Sequence, residues 1–159
     1  MKRKAAAYLM AGVMVGGMVF PVQAAENQQM EIKYTEPSAY EIRIPAEVAL
    51  SKTETQAEIT AANMNVAPNE AVNVKVNSGI ENGAVTLTRD GSTDTTTSKV
   101  SLTSSGEGLA ADAVVASFQS QNTTPDAGTG TLYFAGLPED LAAGSWSGQI
   151  VFSIELVSQ

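Results

Sequence analysis

A chain of 159 residues with 17 acidic and nine basic side chains carries a formal charge of −8, and it contains neither cysteine nor histidine. Those two absences exclude disulfides, thiol nucleophiles, cysteine-held metals and every Ser–His or Cys–His catalytic arrangement. The acidic balance repels phosphate backbones, so nucleic acid is not an expected partner.

The N-terminus has the three parts of a secretory signal peptide. Basic Met1-Lys2-Arg3-Lys4 precedes an apolar run from Ala5 to Phe20, and Val22-Gln23-Ala24 supplies the small-residue exit. Cleavage after Ala24 is predicted, giving a leader over residues 1–24. A retained anchor is the competing reading, but Gly12, Gly16 and Gly17 weaken the run and Pro21 ends it. Lipid attachment is excluded, because it needs a cysteine at the cleavage site. No later stretch is long and apolar enough to span a bilayer as a helix. Removing the leader takes three bases and no acid, which leaves six bases against 17 acids and a net charge of −11. The remaining chain, about 135 residues, is one domain's worth.

Residues 25–38 form a polar lead, and residues 39–159 are predicted to be the folded domain. Within the lead, Met30-Glu31-Ile32-Lys33-Tyr34 alternates apolar and polar residues ahead of a break at Pro37. It is predicted either as the first strand of its own domain or as a strand added to the exposed sheet edge of a neighbour. Alternation then recurs in Tyr40–Ile44, Val72–Val76 and Val85–Thr88, and more weakly in Glu47–Leu50, Ala57–Ala61, Lys99–Thr103, Val114–Phe118 and Leu132–Phe134. The strongest strand is Gln149–Leu156, which puts Ile150, Phe152, Ile154 and Leu156 on one face, predicted to be core. Turn residues separate these segments at Pro68-Asn69-Glu70, Asn77-Ser78-Gly79, Glu81-Asn82-Gly83, Asp90-Gly91-Ser92 and Gly144-Ser145.

Ser92–Ser98 reads as a polar hairpin tip, and Gln119–Thr129 as a Pro/Gly-containing loop. Glu107–Ala116 is Ala-rich and predicts one helical turn or a crossing loop, with no long helix elsewhere. Many short strands with frequent turns predict an all-β fold, an antiparallel sandwich, with a barrel as the nearest competitor.

The order Tyr40-Glu41-Ile42-Arg43-Ile44-Pro45, Val72-Asn73-Val74-Lys75-Val76, then Ala143-Gly144-Ser145-Trp146-Ser147-Gly148-Gln149-Ile150-Val151-Phe152-Ser153-Ile154 resembles small secreted proteins of Firmicutes with immunoglobulin-like surface modules. Those modules have an early Tyr-x-Val-x-Ile-Pro strand and a closing Ala-Gly-x-Tyr/Trp-x-Gly-x-Ile/Val-x-Phe-x-Ile hairpin. The resemblance covers Tyr40 to Leu156 and implies an immunoglobulin-like β-sandwich in an envelope or extracellular setting. It carries over no catalytic residue. Independently of it, Gly144 and Gly148 allow tight turns on either side of Trp146, which is predicted to plug one end of the core.

The remaining chemistry is sparse. Glu139-Asp140 is a carboxylate pair of the type used in glycoside hydrolysis, but adjacent residues diverge and Pro138 marks an exposed turn. Asp90-Gly91-Ser92-Thr93-Asp94 offers two carboxylates to calcium and lacks the distal bidentate Glu of an EF-hand loop, so it reads as a solvated hairpin tip. Surface modules of Gram-positive bacteria also use Lys–Asn isopeptide crosslinks. Lys33 could be the first partner, but the last strand has no Asn. Stacking of sugar rings needs two or three exposed aromatics, for which Tyr133 and Trp146 are the candidate ligand contacts.

No catalytic residue, cofactor or metal ligand is assigned, and the chain is not expected to be an enzyme. The expected role is a secreted or wall-associated protein for adhesion, surface structure or subunit assembly. Its partners would be other surface proteins, the cell wall or further copies joined by strand addition. No sorting anchor follows Val157-Ser158-Gln159, so retention at a surface would rest on such a partner. The alternative is a carbohydrate-binding module or a carboxylate-dependent glycoside hydrolase.

Overall fold

The computed structural model describes residues 30–119 and 129–159. The predicted leader and all but the ends of the Gln119–Thr129 loop lie outside the described residues. The chain divides into two units, Met1–Thr35 and Glu36–Gln159. In the first, residues 30–35 lie in no sheet, and Met30, Ile32 and Tyr34 are 82%, 81% and 84% exposed. The strand predicted at Met30–Tyr34 is therefore not formed: alternation marks the faces a strand would have, but the strand itself exists only in a ladder.

The second unit is all-β, and no helix occurs among the described residues. Its strands are β1 (Ala39–Arg43), β2 (Thr55–Asn65), β3 (Glu70–Ser78), β4 (Ala84–Arg89), β5 (Thr95–Ser101), β6 (Val114–Phe118), β7 (Thr129–Phe134), β8 (Trp146–Ser147) and β9 (Val151–Ser158). They form two antiparallel sheets, one of six strands in the order β1-β2-β7-β5-β4-β8 and one of three in the order β6-β3-β9.

The core draws on both sheets, with Ala57, Ile59, Val85, Val100, Leu132 and Phe134 from the larger, and Val72, Val74, Val76, Ala116 and Phe118 from the smaller. These are the alternate residues of each strand, so one pleat face per sheet is apolar and burial follows the period of two. The strand β2 is long because it changes partner. Thr55–Thr60 pair with β7, whereas Thr60–Asn65 pair with β1, and Asn63 takes a positive φ of 50° in the second half.

Two expectations about the elements are corrected, and one that left two alternatives is resolved to the second. Thr95–Ser98 belong to β5 rather than to a loop: a tight turn at Asp90–Ser92 closes the hairpin, and Thr95, Thr96 and Thr97 pair with Thr88, Leu87 and Thr86. Threonine is β-branched and fits a pleated surface, which a scan for apolar alternation overlooks. Glu47–Leu50 form no strand, although Val48 and Leu50 pack on the core. The Glu107–Ala116 stretch has no helical turn. It crosses as a loop, with Leu109 bridged to Gly83 and a turn at Ala111-Asp112 before β6 begins.

A carboxylate fastens the loop after β5 to the start of β2. Glu54 accepts hydrogen bonds from Ser104 Oγ and Ser105 N, both at 2.8 Å. The bond from the Ser105 backbone, then that from Ser104, holds its pKa below the ordinary value. Lowered in the folded state, the group contributes stability that is present above its unfolded pKa and lost as pH falls through the folded one. Glu54→Gln is therefore expected to melt slightly below the unsubstituted protein at neutral pH, with the gap closing on acidification. Thermal melts of both proteins across pH check this, and a gap that widens in acid would contradict it.

Candidate functional site

The register of β9 against β3 pairs Phe152 with Val76, Ile154 with Val74, and Leu156 with Val72. The three valines are buried core residues, and directly opposed residues point to the same side of a sheet. Phe152, Ile154 and Leu156 thus face inward, as the sequence pattern predicts. Yet Ile154 is 41% and Leu156 40% exposed, and Phe152 only half-buried. The prediction that this whole face is core is corrected: the face is inward, but no element among the described residues fully covers it.

The cause lies in the sheet order. β9 has β3 on one side and no strand on the other among the described residues. Next to its first turn of chain, Ile150 and Phe152 open onto a groove of about 660 Å³. Its floor is apolar and comes from the larger sheet through Ile59, Leu87, Leu132 and Phe134, and residues 44–50 and Trp146 form further walls.

The other free edges are blunted. β1 carries Glu41, which accepts from Arg43 Nε at 2.8 Å and from Asn63 Nδ2 at 3.0 Å, so charges line that edge. Those two hydrogen bonds, the one from Arg43 first, also lower the pKa of Glu41. β8 is only two residues long, and β6 is a five-residue strand with a register shift against β3. Charges, short length and bulges are the devices that keep sheet edges from pairing with other chains. On β9 the only charge is Glu155, which points outward and lies 3.6 Å from Lys75.

Trp146 sits where β8 meets β4, opposite Arg89, and lines the groove. It is half-buried; its Nε1 donates to the carbonyl of Ala142 at 3.0 Å, and the Arg89 guanidinium stands 5.9 Å from its ring centroid. Gly148 does not serve a left-handed turn. A side chain there would meet the carbonyl oxygen of Thr86 at 2.4 Å, so the glycine lets the strand leaving Trp146 approach β4 closely. Tyr133 is half-buried and points away from Leu132 and Phe134, on the outer face of the larger sheet. The two candidate aromatics therefore stand on opposite faces and make no common platform.

Of the other candidates, Asp94 pairs with Arg89 at 2.5 Å, and no group of three or more metal-ligating side chains occurs among the described residues. Glu139 and Asp140 lie in an exposed turn. Lys33 pairs with Glu31 at 3.0 Å, both side chains exposed. Sequence reasoning missed the open edge because a periodic pattern reports a residue's face and not what lies across from it. No protein-family model matches the chain, and no curated protein or solved structure matches it.

Proposed function

We propose that this chain is a secreted or envelope-associated, non-enzymatic protein with an immunoglobulin-like β-sandwich, and that it works by subunit assembly at a cell surface. The observation that carries this reading is the inward but uncovered face of β9. Ile154 and Leu156 stay 41% and 40% exposed beside a strand edge with no partner strand among the described residues, and burying the exposed remainder of each would gain about 1 kcal/mol. Backbone groups on the same edge have no ladder partner among the described residues, so a strand supplied from outside would gain hydrogen bonds and apolar burial together. The leader-like N-terminus supports export, and the resemblance of the closing hairpin to secreted surface modules supports the setting. Carbohydrate binding is less well supported, because Tyr133 and Trp146 do not share a face and the Trp146 ring is engaged by Arg89.

Light scattering and electron microscopy of the secreted chain over a range of concentrations test the assembly. Species larger than one chain are expected, and they should grow with added salt, which screens repulsion between acidic copies. Ile154→Lys is expected to shift them to single chains at an unchanged melting temperature. A chain that stays monomeric at every concentration and salt would overturn the proposal.

A further inference from the structure

The open edge of β9 has the form of an acceptor, and among the described residues Met30–Tyr34 is an alternating segment that neither lies in a sheet nor packs on the core. Resting on the assembly reading, we propose that Met30–Tyr34 of one copy adds as a further strand along the open edge of β9 in a second copy. Met30, Ile32 and Tyr34 would then lie over Ile154, Leu156 and the adjoining groove.

Four observations support this occupant. The segment lies in no sheet, and its three apolar residues are more than four-fifths exposed. Its alternation has the period of two that a strand needs to send Met30, Ile32 and Tyr34 to one side. Its five residues span about 17 Å at the usual rise of a strand, within the eight residues of β9. With the apolar side chains turned inward, the Glu31–Lys33 ion pair faces outward on the side occupied by Glu155, so the one lysine of the segment comes to the one charge of the acceptor strand.

Ser38 Oγ donates to Glu70 at 2.8 Å, and Glu70 pairs with Ser158 at the end of β9. Closure by the same copy's own lead is the rival outcome. Donor and acceptor are different surfaces, so the contact is heterologous and does not have to close on itself.

The test uses the secreted full chain. Ile32→Asp puts a charge on the donor at a fully solvated position, and it is expected to raise the concentration needed for assembly by about 10–100-fold with no change in melting. The absence of cysteine makes a second readout unambiguous. A double variant, Ile32→Cys with Ile154→Cys, is expected to give a ladder of disulfide-linked multimers on mild oxidation. An internal disulfide within a single chain would overturn the proposal in favour of self-closure, and no disulfide would overturn it outright. If Ile32→Asp assembles normally while Ile154→Lys does not, the donor assignment fails and the assembly reading stands. If the unsubstituted chain never assembles, the assembly reading itself fails.

Discussion

Phe118→Ala is expected to lower the unfolding free energy by about 3–5 kcal/mol, seen as a fall in the urea midpoint at constant slope. Phe118 is only 2% exposed, pairs opposite Val72 and contributes to the core from the smaller sheet. Removing its ring would leave a cavity bounded by residues already held in ladders on both sides, which cannot collapse to fill it. Phe152→Ala removes the same ring from a half-buried site on the rim of the groove and is expected to cost distinctly less. Equal losses for the two variants would mean that the β9 face is as covered as the centre of the core, which would contradict the open edge.

Gly79→Ala is expected to cost about 3–4 kcal/mol despite adding one methyl group. Gly79 follows β3 at a φ of 92°, where a Cβ is strained. That Cβ would also stand 2.0 Å from the carbonyl oxygen of Gln149 and 2.9 Å from Cα of Ile150, both backbone atoms that cannot rotate away. Either Gly79 or the entry to β9 must then move. Because Gln149 and Ile150 lead directly into β9, the variant is expected to disturb the β9 edge as well as stability. Its melting temperature and its assembly should fall together; a drop in neither would show that the turn has room the geometry denies it.

Much of the fold is legible in the sequence where two signals coincide. Val114–Phe118 alternates and is bounded by turns, and it is a strand with those ends. Gln149–Leu156 alternates and follows Gly148, and its facing is read correctly even though β9 begins two residues later. Where only one signal is present, the reading fails for an identifiable reason. Thr95-Thr96-Thr97 has β-branched residues without apolar alternation and was expected to be a loop. Met30–Tyr34 has alternation and no sheet to join. The candidate site is less legible still, because Ile154 and Leu156 have the same apolar alternation as Val74 and Val72, and what exposes them is the smaller number of neighbouring strands. That number is a property of topology. Trp146 is visible as an anchor of the closing hairpin, but its engagement by Arg89, 57 residues earlier, depends on the pairing of β8 with β4.

The open edge of β9 would also give any array built from this chain a direction. A row of copies joined by lead and edge would expose a vacant β9 at one terminus and an unengaged lead at the other, so the two ends would present different chemistry. A molecule that starts, caps or tethers the row could then recognise one end alone. An acidic subunit could in this way be held at a surface through its first member while the row lengthens from the last.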